Sequence, residues 1–201
     1  MEIKMKSNLS FVVLGLVIVF FFVFSFESEA NAAKSTSNSI QGLKIDTVDG
    51  VKYSPDKHKK VAGIVVKATD QGEKVFGFST PQKYEAYHQK VTERLSNTSK
   101  GIMTNPTYFY EHTSNHGYGN SISAYPGTKV SSLSGLWDNR VSTVSVAPGS
   151  WVRIYQNRYY GGHSLTLLGH ESKYYTTNLS TWAMSDWTSW NDQTSSYQTG
   201  Y

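Results

Sequence analysis

The sequence reads WDNRVST at residues 137–143 and WNDQTSS at residues 190–196, so one hexapeptide pattern occurs twice, each time behind a tryptophan. Both copies fit [Asp/Asn]-[Asp/Asn]-x-x-Ser-[Ser/Thr]. Such a hexapeptide offers carboxylate or amide oxygens, backbone carbonyls and a hydroxyl within one tight turn, and Ca²⁺ prefers an oxygen-only ligand set. Asp, Asn and Ser are also ordinary turn residues, but two copies behind tryptophan are difficult to attribute to chance. The repeat predicts two related structural motifs and a calcium-binding function.

Residues 1–32 have the features of a secretory signal peptide. Lys4 and Lys6 precede an apolar stretch over residues 11–26, and residues 30–32 (Ala-Asn-Ala) fit a small-residue cleavage motif. The apolar stretch is shorter than the roughly 20 residues that a membrane-spanning helix needs, and an uncleaved N-terminal anchor is the alternative. Either way we expect the rest of the chain outside the cytoplasm. After cleavage it would be a secreted protein without a stable membrane span.

The chain contains no cysteine. Disulfides, catalytic thiols and thiolate metal sites are therefore excluded, although an extracellular address is expected. A long apolar leader on a cysteine-free chain is typical of secreted bacterial proteins, those of Gram-positive bacteria in particular. A cation that binds only the folded state could take over part of the stabilising role of disulfides.

Charge and aromatic residues divide the remaining chain in two. Residues 33–104 carry 12 Lys/Arg against 7 Asp/Glu, whereas residues 105–201 carry 5 of each together with all 5 tryptophans. A polar segment at residues 96–101 lies between the two parts and has the composition of a linker. We therefore predict a small basic unit with its linker over residues 33–104 and a second domain over residues 105–201.

The basic segment is predicted to form a small α+β unit. An apolar run at residues 61–68, a turn at residues 70–72 and a second run at residues 74–78 indicate a β-hairpin. Thr80 followed by Pro81 predicts the start of a helix. The lysine surplus suits a solvated face or contact with an anionic cell wall or membrane surface, and no nucleic-acid-binding motif accompanies it. The apolar face of the helix, at helical spacing, consists of Tyr84, Tyr87, Val91 and Leu95.

The C-terminal segment is a run of short strands without helical periodicity. Strand patterns occupy residues 141–146, 152–155 and 164–167, and an Ala-Pro-Gly-Ser turn separates the first two. Many short strands with Gly/Pro turns indicate a mainly β sandwich or barrel. Residues 155–164 follow the pattern Tyr-x4-Tyr-x-Gly-x-Ser. Such a segment needs a folded hairpin, in which Gly162 adopts a positive φ and Tyr160 packs over the turn.

On these motifs, the segment from Tyr108 to Tyr197 resembles a βγ-crystallin domain, a sandwich of two Greek-key motifs. The aromatic signature at residues 155–164 and both hexapeptides match patterns of that family. The resemblance implies a mainly β, two-Greek-key βγ-crystallin-like sandwich, preceded here by the small α+β unit and the signal peptide.

The first motif departs from the family signature. Tyr110 and Tyr118 take its aromatic positions with extra residues between them. Asn120 stands where glycine is expected, and Ile122 stands where serine is expected. Because Ser121 and Ser123 flank Ile122, the register of this hairpin stays open at this stage.

The resemblance also implies how calcium would be held, because the family shares each ion between the two motifs. It implies hydroxyl ligands from Ser142 and Ser195, with backbone carbonyls from the third residue of each hexapeptide. The second residues would offer side-chain oxygens, and we expect two sites of unequal strength because only Asp192 carries a charge there. The alternative is that the hexapeptides merely build turns. The implied Ca²⁺ site residues are Asp138, Asn139, Arg140, Ser142, Asn191, Asp192, Gln193 and Ser195.

Other candidate sites are weaker, and we predict no enzyme. His112 and His116 have an i, i+4 spacing but lie in a loop-like segment, and His170 with Glu171 has the character of a turn pair. No nucleophile elbow or phosphate-binding loop occurs. The leading function is a secreted, non-enzymatic calcium-binding protein. The alternatives are a secreted peptidase inhibitor of the same fold and a cell-wall or glycan-binding protein that uses exposed aromatic residues.

Cleavage after residue 32 can be tested directly. N-terminal sequencing of the protein recovered from culture medium should begin near Ala33, because the small-residue motif ends at Ala32. Recovery only from the membrane fraction with an intact Met1 would contradict the signal peptide and support the anchor.

Overall fold

A computed structural model describes residues 45–58, 61–98, 105–184 and 188–201. The predicted signal peptide lies outside these residues. Within them, no helix combines the length and apolar character that crossing a bilayer requires. The N-terminal elements are β1 (Thr47–Val48), β2 (Val51–Lys52), β3 (Gly63–Thr69), β4 (Gly72–Phe78) and α1 (Pro81–Thr98). The later strands are β5 (Thr107–Tyr110), β6 (Ser121–Ala124), β7 (Lys129–Val130), β8 (Thr143–Val146), β9 (Trp151–Tyr155), β10 (Ser164–Leu168), β11 (Tyr175–Asn178) and β12 (Ser196–Gly200).

The hairpin and the helix of the basic segment lie where their patterns predicted them. β3 and β4 pair antiparallel around a tight turn, in which Gly72 has a φ of 109°. The helix begins at Pro81, and the backbone N–H of Lys83 donates to Thr80 Oγ1 at 3.3 Å. The helix continues to Thr98 and so extends into the segment predicted as a linker.

Two Greek-key motifs form the sandwich, which confirms the predicted fold class. β5–β8 make the first motif and β9–β12 the second. The two sheets have the strand orders β2-β1-β4-β3-β10-β9-β12-β7 and β11-β8-β5-β6. Each motif therefore places its third strand, β7 or β11, in the sheet of the other motif.

The larger sheet continues across the predicted domain boundary. β3 pairs in parallel with β10, from Ile64 opposite Leu165 to Lys67 opposite Leu168. Without β3, the β10 edge would expose unpaired backbone groups, which attract other strands. The described residues from Ile45 to Tyr201 accordingly belong to one compact unit, and the larger sheet contains strands from both sides of the predicted boundary near residue 105.

β3 is buried on both faces because two cores lie on either side of it. Ile64 and Val66 enter the core between the sheets, whereas Val65 faces a second core beneath α1. The sandwich core also contains Phe109, Val144, Ile154, Leu167, Trp182 and Trp190, and the helix-side core contains Phe78, Tyr84, Trp151 and Leu168.

The structure determines the register of the first hairpin, which the sequence left open. Tyr110 lies opposite Ser121, as Tyr155 lies opposite Ser164 in the second motif. Ser121 therefore occupies the signature serine position, one residue before the position at which the spacing placed Ile122. Ile122 instead packs against the sandwich core.

The glycine position of this hairpin shifts in the same way. Gly119 has a φ of 67°, close to the 74° of Gly162. A Cβ at Gly119 would lie 2.7 Å from the His112 ring, so a side chain would collide there. Asn120 does not replace the glycine, and its Nδ2 donates to Glu111 Oε2 at 3.0 Å.

A buried arginine holds α1 against the larger sheet. Arg153, only 7% exposed, donates to both carboxylate oxygens of Glu85 at 2.8 and 2.5 Å. Its guanidinium also lies 4.4 Å from the centre of the Tyr84 ring, and the Tyr84 hydroxyl is 2.7 Å from Thr166 Oγ1. This guanidinium holds the pKa of Glu85 below its usual range.

Removing the Glu85 charge should therefore weaken the folded state. Glu85→Gln leaves the Arg153 charge without its counter-ion. Because 49% of the Glu85 side chain is exposed, water compensates in part, and we expect a loss of about 1–2 kcal/mol in urea unfolding. Glu93→Gln, on an exposed part of the same helix, is the matched control and should change little. Equal stability of the two variants would contradict the role of the ion pair.

His88 should make the stability depend on pH. Burial and the nearby Arg153 guanidinium lower the pKa of His88 from 6.5 to about 4, and its ring packs edge-on against Trp151 at 4.7 Å. Between these two values the unfolded chain binds a proton that the folded chain does not, so stability falls as the pH decreases. Between pH 6.5 and 4, the free energy of unfolding of His88→Phe should therefore fall by about 1–2 kcal/mol less than that of the wild-type protein.

His116→Phe is the control, because His116 lies on an exposed loop. It should keep the wild-type pH dependence in urea unfolding. A His88→Phe variant that loses as much stability on acidification as wild type would refute the assignment.

Candidate metal centre

The two hexapeptides lead into equivalent strands and share one backbone conformation. Residues 138–143 lead into β8 and residues 191–196 lead into β12. Their second residues, Asn139 and Asp192, have φ values of 57° and 56°. This left-handed region is tolerated by Asn and Asp better than by other side-chain-bearing residues. The pattern therefore selects the turn geometry as well as the oxygen atoms.

Backbone hydrogen bonds cross between the two hexapeptides in symmetric pairs. The N–H of Asp192 donates to Val141 O at 3.1 Å, and the N–H of Asn139 donates to Thr194 O at 3.0 Å. Each second residue therefore bonds to the fourth residue of the opposite hexapeptide. These crossed hydrogen bonds bring side chains of both motifs close to one another.

The first oxygen cluster is centred on Ser142, which is 5% exposed. Its Oγ lies 2.8 Å from the backbone carbonyl oxygen of Glu111 and 2.9 Å from Asp192 Oδ1. Asn191 Nδ2 donates to the other carboxylate oxygen of Asp192 at 2.7 Å. Three oxygen atoms from three separate segments thus lie close together, and one of them belongs to a carboxylate.

The second cluster is the symmetric counterpart around Ser195. Its Oγ donates to Asn139 Oδ1 at 3.2 Å. Asp138 lies beside it, and Arg158 donates to Asp138 Oδ2 at 2.7 Å. The Ser195 hydroxyl and the Arg158 guanidinium hold the pKa of Asp138 below its usual range. Asp138 Oδ1 is nevertheless buried and has no hydrogen-bond partner of normal geometry.

The third residues of the hexapeptides occupy matching turns. The N–H of Arg140 donates to Trp137 O at 3.3 Å, and the N–H of Gln193 donates to Trp190 O at 3.3 Å. The guanidinium of Arg140 forms an ion pair with the carboxylate of Glu111. Its side chain therefore points to a carboxylate rather than leaving an unpaired cation at the site. That the backbone carbonyls of Arg140 and Gln193 bind a metal ion stays a prediction.

Glu111 is the residue that sequence reasoning missed. Its carbonyl belongs to the first cluster, and its carboxylate pairs with Arg140 and accepts from Asn120. The one sequence feature that could have identified Glu111 is its position directly after Tyr110, the first aromatic residue of the signature. A carbonyl ligand can come from any residue type, so the hexapeptide pattern could not identify it.

The centre differs from a carboxylate- or histidine-rich metal site. Across the described ranges, no three His, Cys, Asp or Glu side chains group closely enough to hold an ion. An ion bound between the hexapeptides would use hydroxyl, amide and carbonyl oxygens with a carboxylate. Those are ligands suited to Ca²⁺.

The remaining histidine candidates serve turns. His116 Nδ1 is 3.1 Å from Thr113 Oγ1 in a short 3₁₀ segment. His170 Nδ1 accepts from the N–H of Ser172 at 3.1 Å, so its Nε2 carries the proton and donates to Asp70 Oδ1 at 2.8 Å. This contact joins the β3–β4 turn to the end of β10.

Comparison with known proteins yields no matching family model and no matching curated protein. Similar solved structures include a βγ-crystallin from Ciona intestinalis, with 21% identity, 47% of this chain and 98% of that chain covered, and a TM-score of 0.34. A variant βγ-crystallin domain from Clostridium beijerinckii is 24% identical, with 48% and 98% covered and a TM-score of 0.33. Spherulin 3A from Physarum polycephalum is 23% identical, with 50% and 90% covered and a TM-score of 0.33. Two Greek-key motifs with exchanged third strands give residues 105–201 the βγ-crystallin-like fold that the motifs predicted.

Proposed function

We propose that this chain is a secreted, non-enzymatic calcium-binding protein in which Ca²⁺ stabilises the Greek-key sandwich by joining its two hexapeptides. One observation carries the proposal. Ser142 Oγ of the first hexapeptide lies 2.9 Å from the carboxylate of Asp192 in the second and 2.8 Å from a backbone carbonyl. Oxygens in such a group can surround one Ca²⁺, which binds oxygen ligands at about 2.3–2.6 Å.

The first site would use Ser142, the Asp192 carboxylate and the carbonyls of Glu111 and Gln193. The Ser142 proton now bridges two acceptors, and a cation would turn it outward and take all three oxygens as ligands. The carboxylate supplies the negative charge that neutral oxygen ligands lack. This chemistry fits Ca²⁺ better than Mg²⁺, which demands a smaller octahedral shell and retains its waters.

The second site would use Ser195, Asn139 and the carbonyl of Arg140. The unpartnered Asp138 Oδ1 supports a cation there, because a buried carboxylate oxygen without a donor is costly to leave unsatisfied. The guanidinium of Arg158 already neutralises part of the Asp138 charge. We therefore assign the stronger binding to the site of Asp192.

The ion would act as a removable link between motifs. Residues from β5–β8 and β9–β12 meet around each cluster, so the complete ligand sets exist only in the folded sandwich. Binding to the folded state alone stabilises it by mass action. In a chain without disulfides, secretion into calcium-containing surroundings would then provide a stabilising link after folding.

Calcium titration tests this proposal. At about 100 times Kd one site adds about 2.7 kcal/mol, which for a unit of this size corresponds to a rise of roughly 5–10 °C in melting temperature. Extracellular modules commonly have Kd values of roughly 10⁻⁴–10⁻³ M, so the rise should appear at millimolar calcium and disappear with chelator. Magnesium should raise the melting temperature less.

Variants assign the effect to its ligands. Asp192→Asn retains a side chain that tolerates positive φ but removes the charge, so it should abolish most of the calcium-dependent rise. Ser195→Ala should remove a smaller part. Asp56→Asn, a matched change on an exposed residue of the basic segment, should leave the rise intact. A melting curve that stays constant from micromolar to about ten millimolar calcium would refute the calcium function and leave a structural sandwich.

A further inference from the structure

Four tyrosine rings form a contiguous row on the outer face of the four-stranded sheet. Phe109 points into the core, so its neighbours on β5, Tyr108 and Tyr110, point outward. Tyr174 lies beside Tyr108 at 6.1 Å between ring centres, Tyr108 lies 6.2 Å from Tyr110, and Tyr110 lies 4.9 Å from Tyr118. These four residues are called the tyrosine row below.

The strand residues described around the row carry hydroxyl and amide groups and no charged side chain. The register places Ser123 and Ser145 opposite Tyr108, and Thr176 lies opposite Ser145. Ser145 Oγ and Thr176 Oγ1 are 2.7 Å apart. The strand residues that share the face with the row are Ser121, Ser123, Thr143, Ser145, Thr176 and Asn178.

The equivalent face of the larger sheet is covered. Tyr108 and Arg153 both stand two residues before the first signature tyrosine of their motif, and Arg153 is buried beneath α1 through Glu85. On the opposite side of the sandwich, Tyr174 keeps 39% of its surface exposed, and the neighbouring Tyr125 keeps 53%. A position used for helix docking in one motif therefore carries a half-buried aromatic ring beside exposed tyrosines in the other.

The row is held in place at both of its ends. Tyr118 has a φ of 62°, between Gly117 and Gly119 that also have positive φ. A tyrosine seldom adopts this conformation, which here brings the ring onto Tyr110. At the other end the Tyr174 hydroxyl donates to Pro106 O at 3.1 Å. The rings are thus ordered before any ligand arrives, which lowers the entropy cost of binding.

We propose that the tyrosine row binds a neutral polysaccharide chain. Charge decides the class of ligand: the strand positions beside the row hold no Lys or Arg, and the nearby Arg140 is paired with Glu111, so the strands offer little attraction to phosphates or other polyanions. The strand residues on the face include no aliphatic side chain that would enter a lipid layer. Tyrosine rings pack against the C–H faces of sugar rings. The exposed Ser121, Ser123 and Thr176 can both donate to and accept from sugar hydroxyls.

Affinity gel electrophoresis with hydroxyethylcellulose, laminarin and galactomannan tests the proposal. At least one of these neutral polysaccharides should retard the wild-type protein, in calcium and in chelator alike. Tyr108→Ala and Tyr174→Ala should each weaken the retardation about tenfold, the size expected when one aromatic contact is lost. Tyr159→Ala is the matched control, since Tyr159 is 78% exposed and lies in the corresponding loop of the second motif. It should bind as wild type does.

Melting curves of the variants check that each one is folded. Absence of retardation by all three polysaccharides, or equal retardation of wild type and Tyr108→Ala, would overturn the proposal. Stronger retardation by dextran sulfate would point to a polyanion instead. A wild-type dimer that Tyr108→Ala converts to a monomer in sedimentation would assign the face to a second copy of the chain and would likewise overturn it.

Discussion

Neither Greek-key motif completes a sheet on its own, and the exchange of third strands is the constraint on which the sandwich depends. β7 of the first motif pairs with β12, and β11 of the second pairs with β8. β8 and β12 also pair with the first strand of their own motif. Each of these two strands therefore joins both motifs. The hexapeptides are the turns that lead directly into β8 and β12, so the oxygen clusters lie where the motifs are connected.

This placement gives a physical reason for the composition of the hexapeptide. The second residue must adopt a positive φ and also bond across to the other motif, and both Asn139 and Asp192 do so. The serine must reach an oxygen of the opposite hexapeptide, and both Ser142 and Ser195 do so. The turn requirement and the calcium requirement therefore favour the same residues. For that reason the sequence pattern could not separate a calcium site from a plain turn.

Local features of the fold followed from the sequence, whereas contacts between distant segments did not. The helix start at Thr80 and Pro81 and the β3–β4 hairpin rest on capping and periodicity, which act within a few residues. The parallel pairing of β3 with β10 joins segments about 100 residues apart. An apolar strand such as residues 63–69 indicates burial on both faces but does not identify its neighbour. Glu111 was missed for a related reason, because its backbone carbonyl accepts the Ser142 hydrogen bond and its side chain belongs to no signature.

The first proposed calcium site and the tyrosine row share strand β5. The backbone carbonyl of Tyr110 accepts from the N–H of Ser142 at 2.9 Å, and the next carbonyl, that of Glu111, accepts from the Ser142 hydroxyl. The side chain of Tyr110 belongs to the row. One short stretch of backbone thus contributes to the ion site through its carbonyls and to the outer face through a ring. An ion that fixes the end of β5 would also fix the position of Tyr110, while Tyr108 and Tyr174 lie further along the face, where Tyr174 is held by its hydrogen bond to Pro106 O.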